Sequence, residues 1–319
     1  MKTFKVANRI TIMLLSVAAL FGVASAAGIS LNGAGATFPF PLYSKWFDVY
    51  EKKTGAKINY QSIGSGGGIQ QLKAKTVDFG ASDAPLSNQE VTEMSAPVVH
   101  IPTVAGAEAL IYNVSGIAQG LKLDATTVAG IYLGEIKSWN DPKIAALNSG
   151  AKLPNTPIAI AHRSDGSGTT FTFTDYLSNV SATWKTKVGT GKSVSWPVGI
   201  GGKGNEGVAG VVKQTPGGIG YVELAYAIQN KENYAALKNK AGNFVLPSTK
   251  GATAAAAGGV NAMKKDVRVS VVDSGGEGRI SHHRLPLHSR VHAAVGPDEG
   301  QGADGLSQVG HSRRPAVCR

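Results

Sequence analysis

Cysteine is all but missing from this sequence. Cys318 is the single one in 319 residues, which excludes an internal disulfide and leaves folding to core burial. Charge is also sparse, at 17% of residues, and it is unbalanced. Lys and Arg number 32 against 21 Asp and Glu, a formal net charge of +11. A basic balance favours anionic partners. The basic residues are scattered, however, with no dense Lys/Arg run and no aromatics between them. Nucleic acid is therefore not the expected partner. Histidine is scarce before residue 274, where His100 and His162 stand alone. What is present is a hydrophobic fraction of 42% and 41 glycines. The chain is globular by composition and long enough for two domains with ordinary cores.

One long hydrophobic run occurs, at the N-terminus. Lys2, Lys5 and Arg9 precede a mostly apolar stretch from Ile10 to Val23, followed by Ala24-Ser25-Ala26. That order is a secretory leader, and cleavage is expected after about residue 26. The run is short for a membrane span. No cysteine lies near the cleavage position, so no lipid anchor is expected.

Beyond the leader, strand-like and helical patterns alternate. Tyr43, Trp46, Phe47 and Tyr50 repeat at helical spacing and Gly55 follows as a stop. KINYQSI (57–63) alternates as a strand and runs into the glycine loop GSGGG (64–68). Ser87 and Glu90 form a capping-box pattern. Asp124 can cap a helix through ATTVAGIYLGEIKSW (125–139). PIAIA (157–161) and IGYVEL (219–224) read as strands, TTFTFTDYLSNV (169–180) and NEGVAGVVKQ (205–214) as helices. Strand-helix alternation predicts an α/β fold with largely parallel sheets and ligand sites at the carboxyl ends of the strands.

Three polar loops follow strands and precede helices: GAGATF (33–38), GSGGG (64–68) and RSDGSGTT (163–170). Helix N-terminal N–H groups, approached closely through glycines, make an anion site. Serine and threonine hydroxyls add neutral donors. Arg163 is the fixed positive charge of these loops, with a planar fork suited to an oxyanion, and Asp165 stands where it can hold that fork. Asp83, in FGASDAPL (79–86), is at odds with an anion site. Either it caps the next turn, or it accepts a proton that the anion carries. Phosphate near neutral pH carries one and sulfate does not, so such a carboxylate selects between them.

Two motifs are set aside. GTGKS (189–193) lacks the glycine that a Walker loop needs at 186, where Thr186 stands. GIGGKGNEG (199–207) follows VSWPV (194–198), a poor opening strand for a dinucleotide fold. Neither Ser65 nor Ser167 sits in a nucleophile elbow, and neither His100 nor His162 has an evident nucleophile beside it.

GAGATFPFPLYSKW (33–46), YQSIGSGGG (60–68), VDFGASDAPLS (77–87), IYLGEIKSWND (131–141), RSDGSGTTFTFTDYL (163–177), GGKGNEGV (201–208) and GIGYVELAYA (218–227) together resemble the periplasmic phosphate-binding protein of bacterial ABC phosphate importers. The resemblance runs from about residue 30 to about 273. It implies an α/β fold of the two-lobed periplasmic binding protein (Venus-flytrap) kind, with type II-like sheets and a hinge, closing on one phosphate. The implied organisation is a leader at 1–26, the first part of lobe 1 at 27–113, lobe 2 at 114–273 and a tail at 274–319. Carried over position by position, Thr37 gives its hydroxyl and Phe38 its backbone N–H. Ser65 serves the second loop, and Asp83 accepts the phosphate proton. Arg163 pairs with the anion while Asp165 orients it, and Ser167, Gly168 and Thr169 wrap the far side. The implied function is a phosphate receptor of the periplasm that delivers to the permease subunits of an importer. A monomer is expected, with no metal, no other cofactor and no catalysis. A receptor for another tetrahedral oxyanion and a secreted phosphatase-like enzyme are the alternatives.

The tail departs from this pattern. Lysine stops at Lys265, no aromatic follows Phe244, and six of the nine arginines and five of the seven histidines lie beyond Ser274. His282, His283, His288, His292 and His311 fit no standard zinc spacing. The segment reads as a shifted reading frame. Codon degeneracy allows Arg279 onward, taken one nucleotide later, to encode an aromatic strand and an amphipathic helix like those the family has here. The expectation is that the first-lobe sheet goes short of a partner and exposes apolar surface.

Overall fold

The computed structural model describes residues 28–264, 266, 268 and 289–297. The expected leader and most of the tail lie outside the described residues.

The chain opens with β1 (Ser30–Gly35), α1 (Phe40–Thr54), β2 (Lys57–Ser62), α2 (Ser65–Lys73) and β3 (Phe79–Ser82). The aromatic spacing of α1 buries Tyr43 and Phe47 on the sheet, and Gly55 ends the helix in the left-handed region at φ 75°. Tyr60 and Phe79 stack at 6.1 Å beside them. A Cβ on Gly33 would come within 2.1 Å of the Phe79 ring, so this layer needs a glycine in β1. On the opposite face Ile69 and Leu72 of α2 pack with Ala34, Val77 and Leu86. The sheet is covered on both sides, as an α/β layer requires.

Next come α3 (Asn88–Thr92) and the long strand β4 (Val98–Asn113). The Ser87–Glu90 capping box is present in both directions. The second half holds β5 (Lys122–Leu123), α4 (Ala125–Tyr132), α5 (Pro142–Leu147), β6 (Ala159–Arg163), α6 (Gly168–Val180), α7 (Ala182–Lys187), β7 (Ile200–Gly202), α8 (Gly204–Gln214) and β8 (Gly218–Glu223). It closes with α9 (Leu224–Gln229), β9 (Asn233–Tyr234), β10 (Ala236–Lys238), β11 (Phe244–Val245) and α10 (Thr249–Met263); β12 (Ser289–Pro297) follows. Trp139, Trp184, Tyr132, Tyr221 and Phe173 are fully buried in one cluster. Large apolar side chains of this kind contribute roughly 1.5–3 kcal/mol each, which stands in for the absent disulfide.

The main sheet runs β2-β1-β3-β12-β4-β8-β6-β7, with β9 beside β4. A small sheet, β11-β10-β5, lies apart. β4 serves both halves: Val98 to Ala107 pair with β12, and Glu108 to Asn113 pair with β8. The chain thus crosses from one lobe to the other within a single strand.

Four expectations need correction. The sheet is mixed, because β4–β8, β4–β12 and β3–β12 are antiparallel. The helix capped by Asp124 stops at Tyr132, where Gly134 turns into the left-handed region at φ 74°. Trp139 is instead buried in the core, its indole donating to the Gly217 carbonyl at 2.9 Å. GSGGG is no loop, since Ser65 to Gly68 form the first turn of α2. A Cβ on Gly68 would meet the Ala34 carbonyl oxygen and Gly35 Cα, each at 2.5 Å, so glycine lets this turn lie on β1. Finally, the first-lobe sheet does have a partner. Ser289–Pro297, from the atypical tail, pairs between β3 and β4.

Candidate functional site

Each candidate residue stands at a strand end or a helix start. Thr37 and Phe38 follow β1, and Ser65 opens α2. Asp83 follows β3. Arg163 ends β6, Ser167 caps α6, and Gly168 and Thr169 begin it. The N-termini of α2 and α6 belong to these same loops, that of α8 lies beside them at Gly204, and each presents N–H groups that favour negative charge.

A chain of hydrogen bonds joins the loops across the two lobes. Ser65 Oγ accepts from Gly168 N at 3.0 Å and from Asp83 N at 3.4 Å. Thr169 Oγ1 donates to Asp83 Oδ2 at 3.0 Å. It also accepts from Arg163 Nη1 at 3.4 Å. Asp165 receives Arg163 Nε at 2.8 Å and Nη2 at 2.6 Å, a fork-on-fork pair. Its Oδ1 also takes Gly204 N at 3.0 Å. Beside Gly204, Asn205 donates to Thr37 Oγ1 through its backbone N at 3.1 Å and its Nδ2 at 2.7 Å. Tyr226 Oη donates to the Thr37 carbonyl at 2.6 Å. Gly66 N donates to the Gly166 carbonyl at 2.8 Å. The lobes are therefore in contact along the whole seam. Phe38 is buried with its ring over Gly106 of β4, where a Cβ would meet it at 2.5 Å.

The electrostatics suit an anion. Burial works against the charge on Arg163, but the hydrogen-bonded Asp165 more than offsets it and raises the guanidinium above its ordinary value. The partner shift agrees: burial raises the Asp165 carboxyl, and Arg163 with the Gly204 N–H lowers it below the usual range. Thr37, Ser65, Asp83, Arg163, Ser167 and Thr169 are all at most 3% exposed. Ser167 Oγ is held as the α6 cap by Thr170 N at 3.1 Å. Behind the arginine, Tyr221 Oη accepts from Arg163 N at 3.1 Å and shares a hydrogen bond with Thr170 Oγ1 at 2.7 Å. His162 stacks on Trp196 at 4.8 Å, and His100 Nε2 accepts from Leu86 N at 3.1 Å. Both histidines serve structure rather than a serine.

Three groups were not legible as site residues. Asn205 and Gly204 lie in GIGGKGNEG, set aside above as a failed dinucleotide motif, and Lys192 lies in GTGKS. Lys192 Nζ reaches across to Glu90 at 2.6 and 2.7 Å. Both side chains are partly exposed, so this tie contributes about 1 kcal/mol or less. No local pattern announces partners 102 and 168 residues apart.

Glu223 ends β8 beside the seam and accepts Ala225 N at 2.5 Å. Burial above all, with the charge of Asp83, pushes its carboxyl from 4.5 up to about 8, against hydrogen bonds from the start of α9. A raised carboxyl means the folded state holds a proton that the unfolded state has lost. Its contribution to stability is thus complete at low pH and falls as pH rises from about 4.5 to about 8. Glu223→Gln should flatten the change in melting temperature between pH 5 and pH 8. Equal pH slopes for variant and parent would contradict this.

Comparison with known proteins places the chain. Residues 22–278 match the family model described as a PBP superfamily domain. A protein of Xylella fastidiosa named phosphate-binding protein PstS is 52% identical over 251 residues, covering 78% of this chain and 68% of the relative. The Pasteurella multocida protein of the same name is 55% identical over 229 residues, covering 72% and 66%. The chain therefore spans about two-thirds of the length of these relatives. Among solved structures, a phosphate binding protein from Stenotrophomonas maltophilia superposes with a TM-score of 0.60 at 20% identity, covering 84% of this chain and 79% of that one.

Proposed function

Since this chain belongs to the PBP superfamily and, within it, to the phosphate-binding protein family, we propose that it is a receptor that closes its two lobes on one inorganic phosphate ion. The observation that carries the reading is the buried placement of Asp83 beside Arg163, bridged by Thr169. A site for any anion would keep the cation and leave out the carboxylate. A site for a protonated anion uses both.

Binding is then an exchange of partners. The phosphate P–OH takes the place of the Thr169 hydroxyl as donor to Asp83 Oδ2. Thr169 Oγ1–H, Gly168 N–H and the Ser65 hydroxyl are released to donate to phosphate oxygens. Arg163 donates from its Nη1 side while Asp165 keeps Nε and Nη2. Phe38 N–H, the Thr37 hydroxyl and the α6 start at Ser167 complete the cage. Because Asp165 fixes the guanidinium before the anion arrives, little ordering entropy is lost on binding.

Residues 1–26 are proposed as a removed leader, so that the receptor works in the periplasm as a monomer. The jaws are 27–113 and 114–273, with α10 seated against β4 at their junction. The closed form would hand phosphate to the permease subunits of an ABC importer. We read a receptor rather than a phosphatase because Ser65 and Ser167 accept backbone N–H groups and neither is paired with His100 or His162.

Specificity supplies the test. Asp83→Asn exchanges a charged acceptor for an amide that can donate to an unprotonated oxyanion. Sulfate, silent with the parent protein, should bind the variant measurably, and the preference for phosphate should fall by about tenfold or more. An unchanged preference would remove Asp83 from the selectivity mechanism and favour a receptor for tetrahedral oxyanions at large.

A further inference from the structure

Asn205 is buried at 0% exposure, and its backbone N, Oδ1 and Nδ2 each make a hydrogen bond. Its Oδ1 accepts from Glu223 N at 2.8 Å. A backbone N–H can only donate, so this bond fixes which end of the amide is oxygen and turns Nδ2 toward Thr37. Thr37 Oγ1 then receives Nδ2 at 2.7 Å and the Asn205 backbone N at 3.1 Å. A hydroxyl oxygen has two acceptor lone pairs and one hydrogen. Both lone pairs are taken up by Asn205, so what Thr37 has left to offer is its hydrogen.

We infer that Asn205 is a positioning residue that fixes the Thr37 hydroxyl as a hydrogen-bond donor to the bound anion. This rests on the phosphate reading above. A free threonine rotor could present a lone pair to phosphate, which repels it. Asn205 removes that option, and it does so only when the lobes meet, because Thr37 follows β1 and Asn205 sits in the first turn of α8. Tyr226 Oη, on the Thr37 carbonyl at 2.6 Å, holds the same residue from the same lobe. The hydroxyl thus becomes a donor as the cleft closes.

The experiment measures phosphate affinity by calorimetry for Asn205→Asp and Asn205→Ala, each in the parent and in a Thr37→Val background. Asn205→Asp keeps an acceptor for Glu223 N and still bonds Thr37, but the introduced oxygen draws the hydroxyl hydrogen to itself. In the parent background each substitution should weaken phosphate binding by about tenfold or more, the size of one hydrogen bond to a charged group. In the Thr37→Val background, where no hydroxyl is left to direct, Asn205→Ala should cost about threefold or less, and Asn205→Asp should lose only what its added negative charge repels, less than it loses in the parent background. Equal losses in the two backgrounds would overturn the inference, as would no loss in the parent background. Ligand-free melting curves identify any variant that does not fold. If Asn205→Asp were one, Asn205→Ala carries the same comparison. Failure of the parent protein itself to take phosphate would instead remove the proposed function.

Discussion

The Gly168→Ala variant is expected to lose at least about a hundredfold in phosphate affinity while each lobe still folds, so that its ligand-free form keeps a cooperative melt. The added Cβ would lie 2.5 Å from Asp83 Cβ and 2.7 Å from both Asp83 Cα and Ala84 N. Those atoms belong to the opposite lobe, and two of the three are backbone, so no side-chain rotation relieves the overlap. In an open cleft the methyl group meets nothing across the seam, and alanine suits the first turn of α6 better than glycine does. The substitution thus acts on closure alone. Apparent affinity scales with the fraction of molecules able to close, and a hundredfold loss corresponds to about 2.7 kcal/mol placed on that step. Titration calorimetry with a parallel thermal melt reads both quantities. Affinity within threefold of the parent would show that the seam at Gly168 and Asp83 is not part of the bound state.

Arg163→Met should also cost a hundredfold or more in phosphate affinity, for a different reason. It removes a buried cation and leaves Asp165, whose side chain is 13% exposed, as a carboxylate facing the anion. Removing one partner of such a pair typically costs about 3–5 kcal/mol, so the ligand-free protein is destabilised as well. The double variant Arg163→Met/Asp165→Asn separates the two effects. It relieves the unpaired carboxylate and should recover most of the melting temperature. It should recover little of the affinity, because an amide replaces no positive charge. If the double variant regained phosphate binding along with stability, Arg163 would be a structural ion pair and not the charge that holds the ligand.

Much of this was legible in the sequence, and the parts that were not share a cause. Local periodicity located α1 and its Gly55 stop, and the capping-box pattern marked Ser87 and Glu90, because those signals lie within one or two turns. The glycines of GSGGG signalled close approach of backbone, which is right. That the approach is a helix lying on β1 at Ala34 and Gly35 depends on a contact more than 30 residues away. The helix after Asp124 looked longer than it is because its apolar pattern continues past Gly134, and burial of Trp139 in another layer competes with helix continuation. Asn205 carries no local signal, because its partners, Thr37 and Glu223, are distant in the chain and its own surroundings are mostly glycine. Arg163 and Asp165 were readable together because they stand only two positions apart, with Ser164 between them. The pairing of Ser289–Pro297 between β3 and β4 is not legible in the sequence, since a tail without periodicity carries no register signal of its own.

The central claim is that a buried carboxylate and a buried guanidinium together select a protonated tetrahedral anion. Calorimetric titration of the leader-free protein with phosphate, and separately with sulfate, tests it most directly. One-to-one binding of phosphate with no heat from sulfate is the result predicted here. Equal binding of the two anions, or no phosphate binding by a protein whose circular dichroism shows it folded, would contradict it.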